Sequence, residues 1–308
     1  MIGGTTLNSP RFFPYAALVV GVLSVSTSAI FVKITSAPAP VIAFYRLFFA
    51  TILIAPIFLI KHRSELKVLS KVDWLYSTIA GVFLAFHFIL WFESLNYTSV
   101  ASSVVLVTLQ PLFAFVGTYL FFKEKVSKMA LCSGILAITG SMIISWGDFK
   151  ISGLALFGDI LSLVACAMIT AYLLFGQGIR KRHSLTLYTF IVYGISSLTL
   201  LLYCLILQYP LGPYPTSDWY NFILLAIIPT LLGHSLFNWS LKWVSTNTIS
   251  VMILFEPVGS IILAYFFLGE KMIPSQVVGG SIIMVGIMLF VLEKQIKKYM
   301  RKELKPAS

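Results

Sequence analysis

Long apolar stretches, separated by short polar or proline-rich connections, follow one another along the chain. Each stretch is close to the roughly 20 residues with which an α-helix crosses the hydrocarbon core of a bilayer. None shows the alternation of apolar and polar positions that is typical of membrane β-barrel strands. The pattern predicts an all-α polytopic membrane protein with ten transmembrane helices, at residues 13–35, 41–60, 73–95, 98–121, 128–146, 154–176, 185–208, 219–240, 245–268 and 274–292.

Composition agrees with this interpretation. Hydrophobic residues form 58% of the 308-residue chain and charged residues 11%, whereas soluble domains contain about 25% charged residues. A soluble globular enzyme and a disordered chain are therefore excluded. The 3 cysteines lie far apart in apolar stretches, so we expect no disulfide scaffold.

The net charge of +11 is distributed unevenly between the two sides of the predicted membrane. If the N-terminus is cytoplasmic, most basic residues fall on the cytoplasmic side, in segments 61–71, 123–128, 180–182 and 294–305. Only Lys150 and Lys271 fall in connections on the other side. The positive-inside rule therefore predicts that both termini are cytoplasmic. The basic tail at 293–308 is best explained as an orientation signal on anionic lipid, so we expect no nucleic-acid partner.

The two halves of the chain contain related sequences. Residues 95–144 align without gaps on 241–290, and the matching positions include a proline, a Glu-Lys pair and a glycine: Pro111 with Pro257, Glu124-Lys125 with Glu270-Lys271, and Gly140 with Gly286. We predict two five-helix repeats, at 9–147 and 151–292. Because five is odd, the second repeat enters the membrane from the opposite side. Inverted repeats with a site at the midplane are typical of secondary transporters, although a duplication that serves only stability is the alternative.

Each half of the chain contains several distinctive short motifs. They are Ala43-Phe44-Tyr45-Arg46, Trp91–Ser99, Gln110-Pro111, Gly158-Asp159, Gly233–Trp239, Phe255-Glu256-Pro257 and Leu268-Gly269-Glu270. Over residues 13–292 the chain resembles EamA-type transporters of the drug/metabolite transporter superfamily. The resemblance implies ten helices in two inverted five-helix repeats and movement of small metabolites, often outward, without identifying the cargo. In one departure, Phe122-Lys123-Glu124 lacks the glycine of the second-half motif, which bears on the geometry of that turn.

Ionisable side chains inside predicted spans are costly and mark candidate functional positions. Glu256 lies in the middle of the ninth span, and its repeat equivalent in the fourth span is the neutral Gln110. Pro111 and Pro257 follow these residues and are predicted to kink the helices, which frees backbone carbonyls to line a site. A carboxylate at this depth binds a cationic group or takes up a proton. The alternative is that Glu256 only stabilises the kink.

Arg46 lies in the second span and has two interpretations. It either neutralises an anionic group of the substrate or, as we favour, forms a structural pair, with Glu93 as the candidate partner, or a gate. Lys33, near the end of the first span, is expected to extend its amine toward the interface.

Two helical faces are predicted to form the wall of a polar cavity. His87 and Trp91 share a face of the third span, and His234 and Asn238 share a face of the eighth. Side-chain packing is the alternative role of both histidines and the one we favour. We expect no metal or cofactor, since no HExxH motif or cysteine cluster accompanies the histidines.

These observations predict a secondary transporter in the cytoplasmic membrane, an exporter of small amino-acid-like metabolites that works by alternating access, with protons as the candidate coupling ion. The expected partners are the small-molecule substrate and the lipid bilayer. An uncoupled facilitator or channel of the same fold is the first alternative. An intramembrane enzyme is disfavoured because GxSxG, HExxH and paired-aspartate motifs are absent from the sequence. We therefore assign no catalytic residue.

Overall fold

The computed structural model of the chain describes residues 13–123 and 128–303. The Glu124-Lys125 pair of the first repeat and the last five residues of the basic tail lie outside the described residues. Fourteen α-helices occur within the described ranges: α1 (Phe13–Val25), α2 (Ser28–Lys33), α3 (Ala39–Ile57), α4 (Lys71–Ser94), α5 (Val100–Val107), α6 (Gln110–Phe122), α7 (Lys128–Ile151), α8 (Gly153–Arg180), α9 (Leu185–Ile206), α10 (Thr216–Leu225), α11 (Ser235–Ser240), α12 (Thr246–Ile253), α13 (Glu256–Leu268) and α14 (Pro274–Glu303).

Several of these helices continue one another as interrupted spans. Within the described ranges, eight helical segments are long and apolar enough to cross a membrane: Phe13–Lys33, Ala39–Val68, Lys71–Ser94, Val100–Phe121, Gly153–Arg180, Leu185–Ile206, Thr216–Ser240 and Thr246–Leu268. Two shorter apolar stretches, Leu131–Ile144 and Pro274–Gly286, lie in α7 and α14. The protein is therefore a multi-pass membrane protein. The count of ten spans and the orientation of the termini stay predictions.

Proline places the two central breaks. α5 ends at Val107 and α6 begins at Gln110, whereas α12 ends at Ile253 and α13 begins at Glu256. In both cases the proline is in the first turn of the new helix, where the missing N–H costs no hydrogen bond. Gln110 and Glu256 are thus the first residues of their helices, and each lies at the positive end of a helix dipole.

A third break, between α1 and α2, is fastened to the start of α13. Ser26 Oγ donates to the carbonyl of Glu256 at 3.1 Å, and Ser260 Oγ donates to the carbonyl of Ser26 at 3.0 Å. Interrupted helices expose backbone carbonyls that need partners. These serine hydroxyls therefore hold the break of the first span beside the break that carries Glu256.

The turns that end α6 and α13 have the same backbone geometry despite the sequence departure between them. Lys123 has φ 54° and Gly269 has φ 68°, so both helices end on a residue in the left-handed region. Glycine adopts this conformation without steric cost, whereas lysine does not. The missing glycine therefore changes the cost of the first turn and not its shape.

The central helices form two bundles. In the first bundle, α8 packs against α4, α5 and α6; in the second, α1 packs against α11, α12 and the segment Ala226–His234, while α2 packs against α13. The helices α3 and α9 pack against each other, and so do α7 and α14. Each bundle combines helices from both predicted repeats, since α8 joins the helices of the first repeat and α1 joins those of the second.

Candidate functional site

A small cavity lies between the two bundles at the level of the helix breaks. It is lined by Val25, Ser28, His87, Trp91, Val107, Gln110, Ile169, His234, Phe237, Ile253 and Glu256. Five of the seven residues predicted to bind substrate or couple its transport are among these: Glu256, Gln110, His87, Trp91 and His234. The cavity has a volume of about 20 Å³, which is room for one water molecule. In this conformation the cavity is therefore too small for a metabolite.

Arg46 adjoins the cavity from α3 and is fully buried. Its Nε donates to Thr230 Oγ1 at 2.7 Å, and its Nη1 donates to Ser28 Oγ, a cavity-lining residue, at 2.8 Å. The guanidinium lies 4.2 Å from the centre of the Phe88 ring, in cation–π geometry. Hydroxyls and aromatic rings thus solvate the charge of Arg46.

The structural pair that we favoured between Arg46 and Glu93 is wrong. Phe88 and Phe92, four residues apart on α4, present the face that contacts Arg46. Glu93 is the next residue along the helix, so its side chain points about 100° away from that face. It accepts a hydrogen bond from Asn96 Nδ2 at 3.3 Å instead.

Arg46 and Glu256 are a buried basic group and a buried acidic group that do not form an ion pair. The ion pairs found within residues 13–123 and 128–303 are His62–Glu65, Arg182–Asp73 and His183–Asp73. The two groups nevertheless interact electrostatically, so the cavity lies in the field between a cation and a carboxyl group. Buried charges normally pair or find a polar ligand.

Three polar atoms close to this cavity make no hydrogen bond within the described part of the chain. They are Arg46 Nη2, Trp91 Nε1 and Gln110 Oε1. All three residues are at most 4% exposed. Buried polar atoms are almost always hydrogen-bonded in folded proteins, so two unused donors and one unused acceptor are typical of a site that binds a polar molecule.

The two histidines contribute differently to the wall. His87 Nδ1 lies 3.0 Å from the carbonyl oxygen of Ala165, so a proton on Nδ1 leaves Nε2 as an acceptor. The His87 ring stacks on Trp91 with 5.8 Å between ring centres, and His234 lies 6.5 Å from His87. Both roles weighed for the histidines, packing and cavity wall, are compatible with this geometry.

Asn238, the remaining predicted site residue, does not line the cavity. It lies further along α11, where its Nδ2 donates to the hydroxyl of Tyr172 and, at 3.4 Å, to that of Tyr193. Asn238 and His234 share a helical face as predicted. That face passes from the cavity into a separate cluster of buried tyrosines.

Sequence reasoning missed Ser28 and did not assign Thr230 its role as a partner of Arg46. Thr230 lies in a π-helical segment, Ala226–His234, that contains Pro229. Its hydroxyl donates to the carbonyl of Leu225, five residues earlier, at 2.7 Å. From the sequence, a proline inside an apolar span could have indicated an irregular helical turn here. Such π-helical turns are frequent at functional sites.

Polar contacts join the bundles at both ends of the cavity. At the end predicted to be cytoplasmic, Thr246 N–H donates to Gln177 Oε1 at 2.7 Å, and Asn247 Nδ2 donates to Thr118 Oγ1 at 3.0 Å. At the opposite end, Val100 N–H donates to Glu270 Oε2 at 2.9 Å. Val100 and Thr246 are equivalent positions of the repeat, so the same backbone donor is used at each end.

Comparison with known proteins gives these features a context. The model of the EamA-like transporter family matches residues 12–146 and again 156–292. The Uncharacterized transporter YxxF of Bacillus subtilis is 25% identical over 284 residues, which are 91% of this chain and 90% of that protein. An Uncharacterized transporter of Archaeoglobus fulgidus is 24% identical over 276 residues, 89% of this chain and 94% of its own length.

A solved structure titled "Crystal structure of protein" has a similar fold. The two structures superpose with a TM-score of 0.69, and the match covers 92% of this chain and 97% of the other at 17% sequence identity. At this identity the likeness concerns the fold alone.

Proposed function

Because the chain belongs to the EamA-like transporter family, and is thus a membrane transporter, we propose that it is a secondary transporter that exports small amino-acid-like metabolites across the cytoplasmic membrane. The observation that carries the proposal is the central cavity, where Glu256 and Arg46 are buried without forming an ion pair. Helices of both bundles line it, as alternating access requires of a site that must open to either side.

The proposed cargo class follows from the chemistry of the cavity. A zwitterion has an ammonium group that matches the carboxylate of Glu256. Its carboxylate matches the unused donors Arg46 Nη2 and Trp91 Nε1, since hydrogen bonds between charged groups are the strong ones. A molecule placed between Glu256 and Arg46 therefore compensates both buried charges, and Gln110 Oε1 supplies one further acceptor.

The cavity volume and the contacts at both ends support alternating access. A cavity of about 20 Å³, together with polar contacts that join the bundles at both ends, fits a closed intermediate of the transport cycle. Opening one end requires the contacts at that end to break while those at the other persist. In this mechanism the equivalent donors Val100 and Thr246, one from each of the two predicted repeats, 9–147 and 151–292, hold opposite ends.

Proton coupling is assigned to Glu256. A buried carboxyl group that forms no ion pair exchanges a proton for a cationic ligand more readily than a paired one. Export would then return one proton for each cargo molecule. The uncoupled facilitator remains the alternative. The response of transport to a pH gradient, with and without the Glu256 carboxyl group, distinguishes the two mechanisms.

The test compares metabolites in cells and medium for four strains: wild type, Glu256→Gln, Glu93→Gln and empty vector, at equal membrane abundance. Glu93→Gln makes the same chemical change at a carboxyl group that does not line the cavity. We expect one or more amino-acid-like compounds to accumulate outside only with the wild type and Glu93→Gln. Equal export by Glu256→Gln would reject the role of Glu256, and no shift in any compound would reject export.

Coupling is tested in the same variants after reconstitution. The wild type should accumulate cargo in response to an imposed pH gradient, whereas Glu256→Gln should not. If the wild type ignores the gradient, the facilitator is the correct mechanism.

A further inference from the structure

A second buried arginine lies near the end of the molecule predicted to be cytoplasmic. Arg180, the last residue of α8, is only 2% exposed. Its Nε donates to the carbonyl of Asn238 at 2.9 Å, and its Nη1 donates to the carbonyl of His183. None of the ion pairs within residues 13–123 and 128–303 includes Arg180. Its hydrogen-bond partners are thus two neutral carbonyls, and the carboxylate of Glu65 acts on this buried guanidinium without forming an ion pair with it.

Polar atoms without partners surround this arginine. Tyr188 Oη and Asn238 Oδ1 are fully buried and make no hydrogen bond within the described part of the chain. The side chains of Tyr188, Tyr172 and Glu65 lie close enough to Arg180 to interact with it electrostatically. A guanidinium beside phenol hydroxyls offers several donors to one anionic group, which is the donor set that binds carboxylates.

A continuous column of buried polar groups connects this cluster to the central cavity. Asn238 Nδ2 donates to Tyr193 Oη, which lies 3.1 Å from Ser235 Oγ. Ser235 Oγ donates to the carbonyl of Thr230 at 3.3 Å, and Thr230 Oγ1 accepts from Arg46. The column has Arg180 at one end and Arg46 at the other. Simple helix packing in an apolar core does not call for such an arrangement.

We propose that Arg180 and Tyr188 form a second binding site, which receives the anionic group of the cargo at the cytoplasmic end before it passes to Arg46. The proposal rests on the function proposed above. The bond from Arg180 Nε to Asn238 joins the first bundle to the second. It therefore breaks when the bundles separate at this end, and the separation frees a donor of Arg180 at the moment at which the path opens.

The test uses inside-out and right-side-out membrane vesicles and a ¹⁴C-labelled mixture of the protein amino acids. Arg180→Gln removes the charge, Arg180→Lys keeps it, and Lys181→Gln removes a charge from the next, exposed position. From the cytoplasmic side, we expect Arg180→Gln to raise the half-saturating concentration about ten-fold, as for a lost charge-assisted hydrogen bond. Lys181→Gln should match the wild type, Arg180→Lys should recover part of the loss, and transport from the other side should be unchanged.

Each other outcome counts against a specific statement. If wild-type vesicles move no labelled compound, the proposed cargo class fails, and the second site fails with it. If the wild type transports but Arg180→Gln behaves like Lys181→Gln, only the second site fails. Equal losses from both sides, or equal losses for Arg180→Gln and Arg180→Lys, identify a purely structural role. Tyr188→Phe provides a second measurement, because it should raise the half-saturating concentration from the cytoplasmic side alone.

Discussion

At the scale of single residues, the two turns that end α6 and α13 allow the cost of a left-handed backbone to be measured. Gly269 has φ 68°, and a Cβ added there would meet no atom within 4 Å. Gly269→Ala should therefore lower the free energy of unfolding by about 1 kcal/mol through backbone strain alone. Lys123→Gly should raise it by a similar amount, because lysine already bears this strain at φ 54°.

Thermal unfolding of the purified protein in detergent measures both changes. Gly280→Ala is the matched control, since it lies in α14, also with open space around an added Cβ, where alanine is favoured over glycine. Gly280→Ala should leave stability unchanged or raise it. Equal losses for the two alanine variants would mean that the left-handed backbone is not the cause.

The sequence predicted which residues belong near the site but not how Arg46 is bonded. The high cost of burying charge is enough to single out Glu256 and Arg46 from a list of ionisable residues. The partner of Arg46 depends on the rotation of α4 about its axis, which turns Phe88 and Phe92 toward the guanidinium and Glu93 away from it. Sequence periodicity gives relative positions on one helix and does not fix that rotation between helices.

At the scale of elements, the break between α12 and α13 is what places Glu256 at a helix start beside the cavity. Pro257 lacks a backbone N–H, so the helix cannot continue through this position with normal hydrogen bonds. In Pro257→Ala the restored N–H allows α12 and α13 to join, which rotates Glu256 away from its present position. We expect transport to fall by about ten-fold or more, as when a binding group is misplaced by about 1 Å.

Pro56 provides the control for this prediction. It also lies inside a helix, α3, but is exposed and does not line the cavity. Pro56→Ala should leave transport unchanged and raise stability, because it restores a helical hydrogen bond. Initial transport rates in reconstituted vesicles measure both variants, and a similar loss in the two would contradict the assigned role of the break.

Proline positions predicted these breaks, yet the same signal was not enough for the segment Ala226–His234. Pro111 and Pro257 begin new helices, whereas Pro229 lies within a π-helical turn that keeps the span continuous. The difference depends on whether a nearby group satisfies the freed carbonyl. Thr230 does this for Leu225 through its hydroxyl, and the same hydroxyl accepts a hydrogen bond from Arg46 in the folded protein.

At the scale of the whole molecule, the internal repeat predicted equivalent halves but not how they are divided into bundles. The alignment pairs Val100 with Thr246, and the structure uses both N–H groups to join the bundles at opposite ends. The repeat does not indicate that α8 packs with helices of the first repeat and α1 with those of the second. Sequence similarity reveals the duplication. The packing of α8 with the first repeat and of α1 with the second depends on contacts between helices in the folded protein.

The division into two bundles predicts that a covalent cross-link between them at one end stops transport. Thr118 and Asn247 contact each other across the bundles at 3.0 Å, so Thr118→Cys with Asn247→Cys should cross-link on oxidation. The background replaces Cys132, Cys166 and Cys204 by serine. Oxidation of vesicles should abolish transport, and a reductant should restore it, since this end must open once in each cycle.

The control pair joins two helices of one bundle. Ser94 and Ser162 lie 2.9 Å apart on α4 and α8, and α4 and α8 move together if the bundles are rigid bodies. Ser94→Cys with Ser162→Cys should therefore cross-link without loss of transport. Continued transport by the fully cross-linked Thr118→Cys/Asn247→Cys protein would show that this contact persists throughout the cycle. The opening motion would then lie within the bundles instead of between them.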